Sequence, residues 1–203
     1  MAISLQKGQK IDLSKKDGSQ LTNILVGLGW KEVKQGGGLL GLFKQKVDVD
    51  IDASVIMVGA DGKIINVKDD VIFFNHKDHS TGCIHHCGDN LVGGKMDGME
   101  DSEQIKVDLK KVPQSIHRII FVVNIYDCVK RKQHFGMVEN AYIRIVDEGS
   151  KETIASYNLT EDYSGKTAMI VGEIYRSGSE WKFNAIGQPG YEPGIVDLVQ
   201  KYA

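Results

Sequence analysis

The sequence predicts a mainly β protein: a β-sandwich of two sheets with a few short helices, including one at the C-terminus. Short runs rich in β-branched and aromatic residues recur along the chain, with turn signals between them. The chain has 23 glycines and only three prolines, which suits short strands joined by tight turns. Its 203 residues are enough for one well-packed core, so we expect a single domain spanning 1–203.

Eight runs predict strands. Ile119–Tyr126 is rich in β-branched and aromatic residues, as is typical of a central strand. Val49–Val58 alternates in its first half and is apolar in its second, so we expect one end at a rim and the other end buried. Ala141–Val146 alternates throughout, which predicts one wet face. The remaining predicted strands are Asp69–Asn75, Ile84–Cys87, Thr153–Asn158, Ala168–Arg176 and Trp181–Gly187.

Helical spacing is clear only near the end of the chain. In Gly194–Lys201, the residues Ile195, Leu198 and Val199 fall on one stripe of a helix. A second short helix is predicted near Asp127. Ser177–Ser179 is predicted to form the turn between the last two strands.

Composition and charge exclude several classes of function. The formal net charge of -2 gives no electrostatic basis for binding DNA or RNA. The first residues lack a basic region followed by an apolar core, and no run reaches the roughly 18 apolar residues of a membrane span. Three cysteines in a chain of this size do not make a disulfide scaffold. We therefore expect a cytoplasmic protein that does not insert into membranes.

Two acidic segments carry the strongest chemical signal. In Val47–Asp52 every second residue is an acid, so Asp48, Asp50 and Asp52 share one face of an extended strand. Residues 88–103 hold five carboxylates, one amide and four glycines against a single lysine. Carboxylates this close repel one another unless a cation lies among them, and calcium takes six to eight oxygen ligands. The pattern predicts calcium bound between the two segments, the second acting as a loop.

Two other interpretations of these acids are an EF-hand and a solvated surface. An EF-hand fails on register, because counting from Asp48 places Ala53 and Gly59 where the turn glycine and the bidentate glutamate belong. Alternatively the acids form a solvated face that only raises solubility. Magnesium fits less well than calcium, because it holds its waters and rarely fills an all-protein cage.

Several motifs resemble the TerD family of tellurium-resistance and stress proteins. Asp50-Ile51-Asp52-Ala53-Ser54 is similar to the family's Asp-Leu-Asp-Ala-Ser signature, and Gly88-Asp89-Asn90-Leu91-Val92-Gly93 to its Gly-Asp-Asn-x-x-Gly motif. Asp101-Ser102-Glu103-Gln104-Ile105 resembles its Asp-Asp-Glu-x-Ile run. Further similar segments follow in the family's order: Phe121–Asp127, Val138–Arg144 and Gly172–Arg176.

The resemblance implies a calcium-binding β-sandwich with a role in tellurite resistance and chemical stress. It implies calcium ligands at Asp50, Asp52, Asp89, Asn90, Asp97, Asp101 and Glu103, with Asp48, Asn75 and Glu100 as second-tier candidates. It also implies other stress-response proteins as partners, among them a membrane-associated complex. The sequence departs from the family pattern between Asn75 and Gly88, where histidines and cysteines accumulate.

That departure suggests alternative functions. Zinc prefers the donors found at His76, His79, Cys83, His85, His86 and Cys87. The same residues suggest transient binding of soft metals or tellurium oxyanions by thiols, or a hydrolase with a cysteine–histidine pair. The plainer interpretation is half-buried cysteines and surface histidines. No nucleophile elbow, Walker loop or dinucleotide fingerprint is present, so we predict a binding module, not an enzyme.

Overall fold

The computed structural model describes residues 2–15, 17–32, 49–89, 95–96, 99–159 and 161–203. Within these ranges the chain forms fourteen strands, two short α-helices and one 3-10 turn. The strands are β1 (Ile3–Leu5), β2 (Lys10–Asp12), β3 (Asn23–Glu32), β4 (Ile51–Val58), β5 (Val71–Ile72), β6 (Ile84–Asp89), β7 (Lys95–Met96), β8 (Met99–Glu100), β9 (Glu103–Asp108), β10 (Arg118–Ile125), β11 (Val138–Asp147), β12 (Thr153–Asn158), β13 (Ala168–Ser177) and β14 (Glu180–Gly190). The helices are α1 (Cys128–Arg131) and α2 (Ile195–Gln200), and the 3-10 turn is Phe135–Met137.

Twelve of the described strands form two six-stranded sheets, which confirms the predicted β-sandwich. The order is β1-β12-β11-β3-β9-β6 in the first sheet and β2-β14-β13-β10-β4-β5 in the second. Strand β10 pairs with β13 on one side and β4 on the other, so the predicted central strand is confirmed. Both predicted helices also form: α1 begins at Cys128, next to Asp127, and α2 is one residue shorter at each end than the predicted Gly194–Lys201.

The main core lies between the two sheets. Ile24, Val26 and Leu28 of β3 face Ala53, Val55 and Met57 of β4 within one cluster of buried side chains. The intervening residues of β4, Ile56 and Val58, point outward and pack under Leu198 of α2. The C-terminal helix therefore covers the outer face of the second sheet, which is also the face that Asp52 and Ser54 occupy by strand alternation.

The ends of three strands meet at one rim of the sandwich. Strand β4 begins at Ile51, β9 begins at Glu103 and β6 ends at Asp89, and Asp89 pairs with Glu103. The Nε2 atom of His86 lies 2.9 Å from the carbonyl oxygen of Ala53, which joins β6 of the first sheet to β4 of the second. We call this end, defined by Asp50, Asp52, Asp89 and Glu103, the acidic rim.

Parts of the fold differ from the sequence-based predictions. Asp101–Glu103 was expected in a loop, but Glu103 begins β9 because Glu103, Ile105 and Val107 alternate toward the core. Strand β3 was not predicted, and β5 is much shorter than the run Asp69–Asn75. The predicted wet face of Ala141–Val146 is wrong, since another segment covers it. No helix in the described ranges is long and apolar enough to cross a bilayer.

Candidate functional site

Asp52 lines a cavity on the outer face of the second sheet. The cavity has a volume of about 450 Å³, and its polar walls come from Asp52, Ser54, Asn124, Asp127 and Asp197. Asn124 lies directly opposite Asp52 on β10. Its Oδ1 atom is buried and accepts no hydrogen bond from the described residues. A carboxylate and an amide oxygen thus line the same partly open cavity. Calcium accepts both as ligands.

Asp50 is exposed and lies immediately before the first residue of the same strand. Its Oδ2 atom is 3.5 Å from a guanidinium nitrogen of Arg131, and that guanidinium lies over the ring of Tyr126. The ion pair is solvent-exposed, so it contributes little to stability. Arg131 nevertheless places one positive charge beside the acidic rim and partly offsets its repulsion.

Glu103 faces the interior of the sandwich, where His86 lies beside it. The carboxylate is 5% exposed, and its Oε2 atom is 3.8 Å from Nε2 of His86. Nδ1 of His86 accepts a hydrogen bond from the backbone N–H of Gly88 at 3.0 Å. The ring proton therefore lies on Nε2, which donates to the Ala53 carbonyl. His86 braces the two sheets against each other, and both of its ring nitrogens are engaged.

Asp101 lies on the opposite face of the first sheet. Its side chain is buried and accepts two hydrogen bonds from Arg144, at 2.8 Å and 2.6 Å, and one from the Tyr142 hydroxyl at 2.9 Å. The pKa of Tyr142 is raised, mainly by burial and to a smaller extent by the negative charge of Asp101. This hydroxyl therefore stays protonated and donates its hydrogen bond. The carboxylate rests on Gly27, whose missing side chain leaves it room. This anchor covers the face of β11 that was expected to be wet.

Those predicted calcium ligands whose side chains the structure describes therefore lie near one end of the sandwich but not on one face. Asp52 lies outside the second sheet, Glu103 between the sheets and Asp101 outside the first sheet. The backbone of Asp89 pairs with Glu103, whereas its side chain lies outside the described structure. Asn90, Asp97 and the second-tier Asp48 lie outside the described residues. A carboxylate already held by arginine on both oxygens is a weaker candidate ligand, because a cation must compete with Arg144.

The histidines and cysteines do not form the shared site suggested by the sequence. Nδ1 of His76 contacts the Val71 carbonyl, and Nδ1 of His85 contacts the Asp78 carboxylate. All three cysteines are free, with Cys83 and Cys128 buried and Cys87 half-buried. Within the described residues, one group of three metal-ligating side chains converges: Asp69, Asp70 and His79. Sequence reasoning missed this group because the two acids precede the histidine by nine or more positions.

A family model and several known proteins match this chain over its whole length or nearly so. A family model described as "TerD domain" matches residues 1–202. The stress response protein SCP2 of Bacillus subtilis (strain 168) is 48% identical over 204 residues, covering 100% of both chains. The tellurium resistance protein TerD of Serratia marcescens is 41% identical over 202 residues, covering 100% of this chain and 97% of the relative.

A solved structure shows the same fold. It is the crystal structure of a homologue of telluride resistance protein (TerD) from Streptomyces coelicolor A3(2). The TM-score is 0.65 at 18% sequence identity, with 90% of this chain and 98% of that chain covered. The likeness extends over nearly the whole sandwich.

Proposed function

The chain belongs to the TerD domain family, and from that membership we propose that it serves a tellurium-resistance or stress response by binding calcium at the acidic rim. The proposed ligands come from Asp50, Asp52, Asp89, Asn90, Asp97 and Glu103. Asp101 is also a proposed ligand, and its hydrogen bonds to Tyr142 and Arg144 support a second role, in which it anchors the acidic segment to β11. The activity is binding and not catalysis.

One observation carries the proposal: two acidic segments about 40 residues apart in the sequence meet at one rim. His86 contacts the Ala53 carbonyl at 2.9 Å and approaches Glu103 at 3.8 Å, so it fixes the start of β4 against the start of β9. A site that draws oxygens from both segments can reach the six to eight ligands that calcium takes.

Calcium at this rim also supplies a means of recognising partners. Bound calcium neutralises the acids and orders the segment that carries them, which creates a surface for other stress-response proteins, including a membrane-associated complex. We place this interaction in the cytoplasm, which is supported by three free cysteines in the sandwich.

The thiol-based alternatives receive less support from the structure. Burial raises the pKa of both the Cys83 and the Cys87 thiols. A raised pKa keeps the thiol protonated at neutral pH, whereas a nucleophile or a soft-metal ligand acts as the thiolate. The nearby His85 is also occupied by Asp78 at 2.6 Å.

We expect alkylation of Cys87 by iodoacetamide to be slow at pH 7. Because its pKa is raised, the rate should keep rising above about pH 8.5, the ordinary pKa of a thiol. Mass spectrometry of the modified peptide over a pH series measures this rate. A rate that is fast and already level at neutral pH indicates an activated thiolate and favours the catalytic alternative.

We expect calcium to raise the melting temperature and a chelator to reverse the rise. If Kd is near 10 μM and calcium is 1 mM, linkage adds about 2.7 kcal/mol, or about 5–10 °C for a chain of this size. Asp52→Asn should remove most of the shift. Differential scanning fluorimetry with calcium and then with EGTA measures it.

The matched control is Asp12→Asn, on the edge strand β2 at the far side of the second sheet. It should keep the full calcium shift. Asp197 is not a suitable control, because it lines the same cavity as Asp52. A wild-type protein whose melting temperature ignores both calcium and EGTA contradicts the proposal.

A further inference from the structure

Asp69, Asp70 and His79 form a second cluster of ligand atoms outside the acidic rim. One ligand atom from each residue lies within 4.8 Å of the other two. The His79 side chain is 2% exposed and that of Asp70 is 6% exposed, whereas Asp69 at 23% leaves a path to solvent. The cluster is therefore a buried site with one open side.

The distances within the cluster are too long for hydrogen bonds. Nε2 of His79 lies 3.4 Å from Oδ1 of Asp70 and 3.5 Å from Oδ2 of Asp69. A charge-assisted N–H···O bond is about 2.7–2.9 Å long. In a tetrahedral zinc site with bonds of about 2.0–2.15 Å, neighbouring ligand atoms are about 3.3–3.5 Å apart. The distance from the buried Nε2 atom of His79 to each carboxylate oxygen is thus the distance between two neighbouring ligand atoms around a tetrahedral zinc ion.

The negative charges of Asp69 and Asp70 also favour a bound cation. Two adjacent carboxylates, one of them almost fully buried, repel each other strongly in a medium of low dielectric constant. Among the described residues, no lysine or arginine forms an ion pair with Asp69 or Asp70, and His79 is their nearest basic group. A divalent cation cancels both negative charges.

Each of the three side chains is held by a further partner. Asp69 accepts hydrogen bonds from the backbone and hydroxyl of Ser80, at 2.9 Å and 2.6 Å. Asp70 uses Oδ2 to accept from the backbone of Asn66 at 2.6 Å, which leaves its Oδ1 toward His79. Outer partners of this kind orient the ligands in protein metal sites.

The other nitrogen of His79 is placed to support metal binding. Nδ1 lies 2.9 Å from the hydroxyl oxygen of Thr81, which can accept the ring proton and leave Nε2 to bind a metal. Nδ1 is also 3.2 Å from the backbone N–H of Thr81, a contact that belongs to the other tautomer. A metal at Nε2 selects the first arrangement.

We propose that Asp69, Asp70 and His79 bind a divalent transition metal of the zinc class, with water completing the coordination. The imidazole ligand separates this site from the calcium rim, because calcium takes oxygen ligands whereas zinc binds histidine readily. The metal ties the turn before β5 to the turn before β6, and it stabilises that side of the second sheet.

The test is a titration of the calcium-saturated protein with Zn²⁺ against a chromophoric chelator, and with Co²⁺ followed by visible absorption. We expect one tight equivalent of Zn²⁺ and the intense absorption of four-coordinate cobalt. His79→Gln should weaken binding by at least about 100-fold, and Asp69→Asn, at the more exposed position, by about 10–100-fold. Near-UV circular dichroism checks that each variant is folded.

Two matched controls separate this site from its neighbours. His85→Gln makes the same substitution at an exposed histidine outside the cluster, and Cys87→Ser removes the most accessible thiol of the region. Both should bind zinc as the wild type does. The proposal is overturned if the wild type binds no stoichiometric zinc, if folded His79→Gln binds as tightly, or if Cys87→Ser loses the site.

Discussion

Asp101→Ala is expected to lower the free energy of unfolding by about 3–5 kcal/mol, since breaking a buried ion pair leaves an uncompensated charge. The substitution leaves the Arg144 guanidinium and the Tyr142 hydroxyl buried without their acceptor. Urea denaturation in excess EGTA measures the change. The chelator matters, because it removes any contribution from calcium and isolates the anchor.

A double-mutant cycle tests the anchor further. Arg144→Met in the Asp101→Ala background removes the positive charge that Asp101 no longer neutralises, so the double variant should be more stable than Asp101→Ala alone. Asp12→Ala, which breaks an exposed ion pair with Lys182, should leave the urea midpoint unchanged. If Asp101→Ala unfolds within about 1 kcal/mol of the wild type, the buried anchor does not hold the acidic segment.

Gly27→Ala is expected to destabilise the protein by about 1–3 kcal/mol through overpacking. A β-carbon added at Gly27 meets the Asp101 carboxylate at 2.5–2.7 Å, and Arg144 prevents that carboxylate from moving aside. Urea denaturation measures the loss. The β-strand backbone of β3 itself accepts alanine, so the cost comes from the contact alone.

The Asp101→Ala background provides the decisive comparison for this contact. With the carboxylate gone, Gly27→Ala should be neutral or slightly stabilising, because the two changes share one contact. Gly149→Ala is the control: it is exposed, and its added β-carbon comes no closer than 3.4 Å to another atom. Equal losses from Gly27→Ala in both backgrounds contradict the packing described at Asp101.

The predictable part of the fold is the part encoded by local patterns. Ile119–Tyr126 is predicted as a central strand because all of its residues except Asn124 are β-branched or aromatic, and β10 lies between β4 and β13. The sequence pattern does not predict strand β3, because Gly27 and Gly29 leave one face of the strand without the side chains that a strand pattern needs. Those glycines make room for Asp101 and Tyr142, which come from distant segments, so the local sequence gives no sign of the contact.

For the candidate sites too, local sequence predicts some features, whereas others depend on contacts between distant segments. The two acidic segments were identified from spacing, and the structure brings their strand ends to one rim. Spacing could not place Asp52 and Glu103 on different faces, because that depends on which side of each strand meets the core. Nor could it bring His79 to Asp69 and Asp70, since the connection runs through the turn around β5. His86, expected among surface histidines, is instead a buried brace.

Calorimetric titration of the chelator-treated protein with calcium measures directly whether the two acidic segments hold one ion. We expect the wild type to bind calcium and Asp52→Asn and Asp89→Asn each to weaken binding. In the double variant the losses should be smaller than their sum, because both residues serve one shared site. A wild type that binds no calcium, or losses that simply add as for independent sites, contradicts the joining of the two acidic segments around one ion.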